Sequence, residues 1–193
     1  MFDSNLLDRL SRVHPSVPVI IFLPAIIVLA VIGAGTTGLA AALAWFVGGW
    51  LFWTLTEYWL HRIVFHFDAD NALVHRMHFI IHGVHHDHPN DPLRLVMPPG
   101  ASIPLASLFL VAFWAVLPTG AWMVFGAGFL AGYLMYDMLH YHVHHHRPRT
   151  RLGRRLRELH MRHHFQDHTT GFGVSAPYWD HVFGTRPNAR RDR

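Results

Sequence analysis

The chain has 193 residues, of which 51% are hydrophobic and only 15% are charged, a balance that is unusual for a soluble domain. The 16 basic residues are all arginines, 12 residues are acidic, and there is no cysteine, which excludes disulfides and thiolate or iron–sulfur sites. The arginines gather at the ends of apolar segments. This distribution indicates the cytoplasmic rim of a membrane protein, and we expect no nucleic-acid partner.

Four apolar segments, taken in chain order, predict membrane-spanning helices. They cover about residues 17–34, 39–60, 102–117 and 120–139. A bilayer core of about 30 Å needs roughly 20 helical residues, so the second and fourth segments are long enough and the first and third are marginal. The marginal pair either spans a locally thinned bilayer or forms re-entrant hairpin partners. Buried helices of a soluble bundle are the alternative interpretation.

The connections between these segments predict two hairpins that stand on one face. Residues 33–38 join the first pair and residues 118–120 join the second, and neither connection carries a charge. The arginines lie at the opposite ends, so the positive-inside rule places both termini and every histidine cluster in the cytoplasm. We therefore expect a single-domain, all-α integral membrane protein, residues 1–193, with about four transmembrane helices, a cytoplasmic helical, histidine-rich metal-binding cap and a basic tail at 186–193.

Histidine is the most informative residue type, with 19 copies that fall mainly into four clusters. The clusters are 61–66, 78–88, 140–146 and 160–164, and two of them contain the spacing HxxHH. Imidazole is the commonest metal ligand in proteins and is largely neutral at physiological pH. The clusters predict binding of more than one metal ion.

Helical geometry suggests how the clusters assemble. Residues at i, i+3 and i+4 share a helix face, so each HxxHH triple can divide its histidines between two neighbouring ions. His140 and His144 form an i, i+4 pair. His61 and His66 are five residues apart and would point in different directions, which suits two different metals. The predicted ligands are His61, His66, His82, His85, His86, His140, His144, His160, His163 and His164, with His78 as a possible addition.

The identity of the metal and the support of its ligands follow from the donor set. An imidazole shell with open positions suits redox iron, although zinc or copper would also bind. Because imidazole supplies no negative charge, carboxylates hydrogen-bonded to the outer ring nitrogens are expected. Glu57, Asp137 and Asp180 are the candidates, and helix-end or capping roles are the alternative for each. Arg94 would hold a lipid head group or form a structural salt bridge.

The histidine pattern resembles the membrane-bound fatty acid hydroxylase superfamily, which includes sterol desaturases and carotenoid hydroxylases, and within it is most similar to fatty acid 2-hydroxylases. The matching segments begin with residues 57–62 (EYWLHR), His66 and the first HxxHH. The RLVMPP segment at 94–99 narrows the likeness to 2-hydroxylases. The later matches are Gly132-Tyr133, Tyr136-Asp137-Met138, His140-Tyr141, His144, the second HxxHH with Phe165, Gly171-Phe172-Gly173 and Trp179-Asp180 with Phe183.

The resemblance implies a non-haem diiron monooxygenase that uses O2 and external electrons to hydroxylate an acyl chain at carbon 2. It also implies how the ligands divide: one metal with His61, His82, His85, His160 and His163, the other with His66, His86, His140, His144 and His164. No haem-binding segment is recognisable, so a separate redox partner of the cytochrome or ferredoxin type is expected. The alternatives are a desaturase or a sterol or carotenoid hydroxylase of the same superfamily and, in another class, a metal transport or storage protein.

Overall fold

A computed structural model describes residue 8 and residues 11–66 and 79–187 of the chain. Within these residues every regular element is helical. The first hairpin consists of α1 (Ser16–Thr37) and α2 (Leu39–Trp59), which a π-helical turn, π1 (Leu60–Phe65), extends. Gly38, with φ of +78°, lies between the two helices and turns the chain.

The second hairpin follows the same plan. It consists of α4 (Pro99–Val116) and α5 (Ala121–His145), joined through Gly120 with φ of +85°. Between the hairpins lie a second π-helical turn, π2 (Phe79–Gly83), and the short helix α3 (Val84–Asp87). Helices α6 (Arg151–Phe165) and α7 (Tyr178–Val182) complete the fold after α5.

Four helices are long and apolar enough to cross a membrane, as predicted, and all four are longer than expected. They cover Ser16–Thr37, Leu39–Phe65, Pro99–Val116 and Ala121–His145. The main differences are at the histidine ends, where α2 continues into π1 and α5 continues to His145. These extensions carry the first histidines on the same rigid elements that span the bilayer.

The outward faces of three of these helices are apolar, as lipid contact requires. In α1, α2 and α4 no more than 22% of the most apolar window is buried, whereas in α5 the share is 56%. Large apolar side chains on the three peripheral helices are at least 60% exposed: Ile20, Val31, Leu43, Leu108, Trp114 and Val116. Helix α5 is therefore the central helix, and the other three separate it from lipid.

Close backbone contact between α2 and α5 fixes the position of the histidine-bearing ends. A Cβ atom on Gly128 would lie 2.0 Å from the carbonyl oxygen of Phe46, and one on Gly49 would lie 1.9 Å from that of Phe125. Only glycine permits this approach. Next to the crossing, Trp53 packs edge-to-face on Phe129 with ring centroids 5.1 Å apart.

Candidate metal centre

Ten histidines from four separate segments meet where α2 and α5 end. His61 and His66 come from π1 and the residue after it, and His140 and His144 come from the last turns of α5. The first HxxHH lies on π2 and α3, and the second lies on α6. The structure therefore brings together all ten histidines that the sequence predicts as ligands.

The ten histidines form two groups of five, and within each group the available ligand atoms all lie within 4.8 Å of one another. Group one consists of His61, His66, His82, His86 and His163. Group two consists of His85, His140, His144, His160 and His164. The groups adjoin, since the rings of His86 and His164 are stacked with centroids 4.2 Å apart. Each group could hold one metal ion, and two ions bound here would be neighbours.

The placement of His61 and His66 in one group differs from the expectation that they point in different directions toward two metals. Both belong to group one, and their ring centroids are 5.0 Å apart. The reason is the π-helical turn between them: in a π-helix the hydrogen bonds join residues i and i+5, so residues five apart share a face. An α-helical reading of the sequence could not place them together.

The two HxxHH segments exchange their middle histidines. His82 and His86 belong to group one while His85 between them faces group two, and His163 crosses in the opposite direction from the second segment. Each triple is thus shared between the two groups, as a division between two ions would require. The groups differ from the membership that the resemblance implies at four positions, because His66 and His86 lie in group one and His85 and His160 lie in group two. The i, i+4 pairs stay together, as helix geometry favours.

This exchange gives the centre an approximate twofold pattern. Each group receives a pair from the end of a long span, an i, i+4 pair from the HxxHH segment that follows it, and one histidine from the other segment. The two hairpins thus contribute equivalent sets. No repeat of the sequence itself is evident, so the duplication is architectural.

The ring nitrogens are spaced as metal ligands would be. Neighbouring Nε2 atoms lie 2.8 to 3.1 Å apart in five pairs, each of them inside one group. Two nitrogens bound at right angles to an ion, each about 2.1 Å from it, would be about 3.0 Å apart. The Nε2 atoms of His61 and His140 are buried and have no hydrogen-bond partner among the described residues. The donor set and its spacing both fit a pair of metal ions.

Burial keeps these rings neutral and available for coordination. It lowers the pKa of His82, His85 and His160 well below the usual histidine value, and neighbouring histidines add to the effect. The pKa of His86 falls to about 2 and that of His163 to about 4, mainly through the same desolvation. A protonated ring cannot donate its lone pair to a metal, so the centre favours the ligand form across the neutral pH range.

Backbone carbonyls orient two rings of group one. The Nδ1 atom of His61 donates to the carbonyl oxygen of Phe172 at 2.7 Å, and Nδ1 of His163 donates to that of Thr170 at 2.7 Å. Each bond directs the opposite nitrogen, Nε2, toward the group. Sequence reasoning missed these partners, since a carbonyl has no side-chain signature; the glycines at 171 and 173 were the only signal.

Two of the predicted carboxylates bond to the backbone segment that carries these carbonyl groups, and not to the histidine rings directly. Glu57 accepts hydrogen bonds from the backbone N–H of Ser175, at 2.7 Å, and from its hydroxyl. Asp180 accepts from the backbone N–H groups of Phe172, at 2.8 Å, and Gly173, at 2.9 Å. Both carboxylates are buried. We call residues 170–175 the carbonyl loop, because it connects these carboxyl groups to His61 and His163.

The remaining candidates have other roles or lie outside the described residues. Asp137 accepts from the backbone N–H of Met97 and from the hydroxyl of Tyr133, both at 3.3 Å, and so ties α5 to the segment before α4. Arg94 is buried and pairs with Asp91 and Asp8, so of its two expected roles the structural salt bridge is the one formed. His78 and residues 188–193 of the predicted basic tail are outside the described part of the chain.

A small apolar pocket opens below the histidines, between α2, α4 and α5. Its lining includes Trp53, Phe109, Phe129 and Tyr133, with Met97 at one side. Tyr133 precedes His140 by two helical turns, or about 10 Å along α5. The pocket therefore lies among the spans on the lipid side of the metal centre.

Comparison with known proteins identifies relatives of this chain. Residues 46–185 match the family model described as fatty acid hydroxylase. A dihydroceramide fatty acyl 2-hydroxylase of Arabidopsis thaliana is 41% identical over 74% of this chain, and a ceramide very long chain fatty acid hydroxylase of Saccharomyces cerevisiae is 42% identical over 72%. The chain spans 60% and 37%, respectively, of those relatives.

The fold agrees with the sequence match. A solved structure of full-length Scs7p, in which only the hydroxylase domain is visible, aligns with a TM-score of 0.92 and 34% identity, covering 98% of this chain and 73% of that one. Together with the four long apolar helices, these similarities make the protein a multi-pass membrane protein. The extent of the family match and the identity to its relatives show that the chain belongs to the fatty acid hydroxylase family.

Proposed function

We propose that the protein is a membrane diiron monooxygenase that hydroxylates an acyl chain at carbon 2. The observation that carries the proposal is the pair of adjoining five-histidine groups at the membrane end of the spans. The names of the relatives, dihydroceramide fatty acyl 2-hydroxylase and fatty acid 2-hydroxylase, favour carbon 2 over desaturation or sterol oxidation. Groups one and two would each hold one iron, and zinc would compete for the same imidazoles.

The overall reaction is balanced by external electrons. A carbon–hydrogen bond of the acyl chain, O2, two electrons and two protons give the 2-hydroxy product and water. The bound irons would supply the activation of dioxygen that no amino-acid side chain provides. The ten imidazoles would set the positions of the metals, and the carbonyl loop would keep two of the rings in their ligand orientation.

The apolar pocket suggests how the substrate is held. The pocket has a volume of only about 10 Å³, so an acyl tail would enter among Trp53, Phe109 and Phe129 as the spans move apart, and it would contact mainly aromatic and aliphatic side chains. A chain that extends from this pocket past Tyr133 would bring its carboxyl or amide end toward the histidines. Carbon 2, next to that polar end, would then be the first aliphatic position beside the metal centre. Packing of the spans around the tail would exclude water from the reacting carbon.

We further propose that the metal centre and both termini face the cytoplasm. The arginines concentrate at the histidine end of the helices, while the turns at Gly38 and Gly120 lie in uncharged connections. Electrons would then come from a separate cytoplasmic carrier of the cytochrome or ferredoxin type. The four spans and the histidine-bearing helices would act as one hydroxylase domain.

Lipid mass spectrometry on a host that expresses the protein tests the proposal. The control is His164→Ala, which removes one ligand from group two without changing the spans. We expect 2-hydroxy acyl species with the unaltered chain and none with the variant. An alkene, a hydroxylated sterol or a hydroxyl group at another carbon would contradict carbon-2 hydroxylation, and equal products from both chains would contradict the role of the histidines.

A further inference from the structure

A strongly basic stretch of the chain lies in sequence between two ligands of group two, His144 and His160. Between His144 and Glu158 the chain carries six arginines and no acidic residue. Arg147, Arg149, Arg151 and Arg154 are exposed, and Leu152 among them is 68% exposed. We call these five residues the basic loop surface. An exposed leucine close in sequence to exposed arginines combines an apolar side chain with positive charge, a composition that protein docking sites share.

The charge of this surface is not neutralised within the described part of the chain. The side chains of Arg147, Arg149 and Arg151 form no ion pair or hydrogen bond with any described residue. Nearby arginines behave differently, since Arg155 pairs with Glu158 at 3.0 Å. Arg154 is partly structural, because its Nη1 donates to the backbone carbonyl of Arg149 at 2.6 Å. Three exposed guanidinium groups are thus free to meet an anionic partner.

The position of the surface connects it to the metal centre. Helix α5 ends at His145, one residue after the ligand His144, so the loop begins at the histidine end of the span. Arg151 begins α6, and His160 follows nine residues later, about 14 Å along the helix axis. A protein seated here would lie next to group two and would have a short covalent path, through α6, to one of its ligands.

We propose that the basic loop surface is the docking site of an acidic one-electron carrier, an iron–sulfur or b-type haem protein. This inference rests on the proposed function, which needs two electrons for each hydroxylation. Each encounter oxidises one reduced carrier by one electron, so two encounters supply the pair that reduces dioxygen. Anionic lipid is the competing partner. The position beyond the end of α5, and the single apolar side chain in the surface, favour a carrier approaching from water.

The experiment measures carrier binding directly, so it does not depend on turnover. The protein is placed in nanodiscs of phosphatidylcholine alone, which removes lipid charge, and its association with an acidic plant-type [2Fe–2S] ferredoxin is followed by stopped flow. The test variant replaces Arg147, Arg149 and Arg151 with Glu and keeps Arg154, because Arg154 holds the loop. The matched single changes are Arg149→Glu inside the surface and Arg186→Glu outside it, both at exposed positions.

We expect the association rate at low ionic strength to fall at least about tenfold in the triple variant and severalfold in Arg149→Glu, with Arg186→Glu unchanged, because steering charges act mainly on association. Salt should slow the unaltered protein and have little effect on the triple variant. Basic cytochrome c should not bind. Unchanged ferredoxin binding by the triple variant overturns the proposal. The proposal is also overturned if the triple variant loses binding to phosphatidylserine vesicles while it still binds ferredoxin, because the surface would then bind anionic lipid.

The outcomes distinguish an error in the proposed function from an error in the docking site. Histidine-dependent metal content of the triple variant shows that its centre is folded. If the unaltered chain makes no 2-hydroxy acid but binds ferredoxin through these arginines, the docking site stands and the substrate assignment falls. If product forms and the charge reversals change neither binding nor ferredoxin-supported turnover, the docking site is wrong and the proposed function stands.

Discussion

The change Glu57→Gln tests how a buried carboxylate supports the metal centre without touching a histidine. Glu57 is 2% exposed and accepts two hydrogen bonds from Ser175, through the backbone N–H and the hydroxyl. The carbonyl loop that begins at Thr170 and ends at Ser175 supplies the acceptors for His61 and His163, both in group one. The substitution keeps the size of the side chain and replaces one accepting carboxyl oxygen with an amide N–H donor.

The expected magnitude follows from the bonds involved. A hydrogen bond contributes about 0.5–1.5 kcal/mol net, and the amide nitrogen that replaces one carboxyl oxygen cannot accept from Ser175 as that oxygen does. If this strain passes to the carbonyl loop, the affinity of group one for its ion should fall about 10- to 100-fold, the range typical of outer partners of metal ligands. Among the described residues the loop forms no hydrogen bond with a group-two ring, so group two should retain its ion.

Chelator competition on the metal-loaded protein separates the two effects. The unaltered protein and Glu57→Gln are exposed to increasing chelator, and the metal retained per chain is counted by mass spectrometry. The matched control is Asp137→Asn, another buried carboxylate to amide change, whose partners are Met97 and Tyr133 instead of the loop. We expect the group-one ion to leave Glu57→Gln at a lower chelator concentration than it leaves the unaltered protein. In Asp137→Asn the group-one ion should be retained as in the unaltered protein. Retention of both ions, or equal loss of both, would refute the reasoning.

Three further predictions concern the grouping, the charge state and the fold. His85→Ala and His86→Ala should each remove one ion, but from different groups, so electron paramagnetic resonance of the remaining ion should differ between them; identical spectra would contradict the exchange of middle histidines. Histidine has a pKa near 6.5 in the unfolded chain, and burial lowers the pKa of His163 to about 4 in the folded chain. The free energy of unfolding of the metal-free protein should therefore be highest above about pH 6.5. It should fall by about 1.4 kcal/mol per pH unit for each such ring as the pH drops toward 4. Thermal unfolding that does not shift between pH 7 and 5 would contradict this. Gly128→Ala places a Cβ 2.0 Å from the Phe46 carbonyl oxygen and should cost about 1–3 kcal/mol, lowering the unfolding midpoint by several degrees, whereas Gly35→Ala, which meets nothing within 4 Å, should not; equal midpoints would contradict the close crossing.

Helical periodicity allowed much of the centre to be predicted from the sequence. The spans follow from apolar length, and the sharing of each HxxHH between two ions follows from the i, i+3, i+4 spacing. His140 and His144 lie together because α5 stays α-helical to its end. These features depend only on local backbone geometry, which the sequence specifies directly.

The arrangements that differ from the sequence expectation depend on irregular backbone or on distant contacts. The π-helical turn that unites His61 and His66 has no residue signature, and an α-helical count separates them. The carboxylates were expected to accept hydrogen bonds from the histidine rings. Instead, Glu57 bonds to the carbonyl loop, more than 100 residues later in the chain, and Asp180 bonds to it from a few residues beyond its end. Such contacts depend on how α2 meets the chain after α6, which periodicity does not determine.

Oxygen-isotope labelling of a single turnover is the most direct test of the central claim, that two five-histidine groups support O2-dependent hydroxylation at carbon 2. Iron-loaded protein in nanodiscs is reduced chemically, mixed with an acyl lipid substrate under 18O2, and its products are analysed by mass spectrometry beside His164→Ala. The account predicts one 18O atom in a hydroxyl group at carbon 2, and no product from the variant. Oxygen derived from water, a product altered at another carbon, or equal labelling in both chains would contradict it.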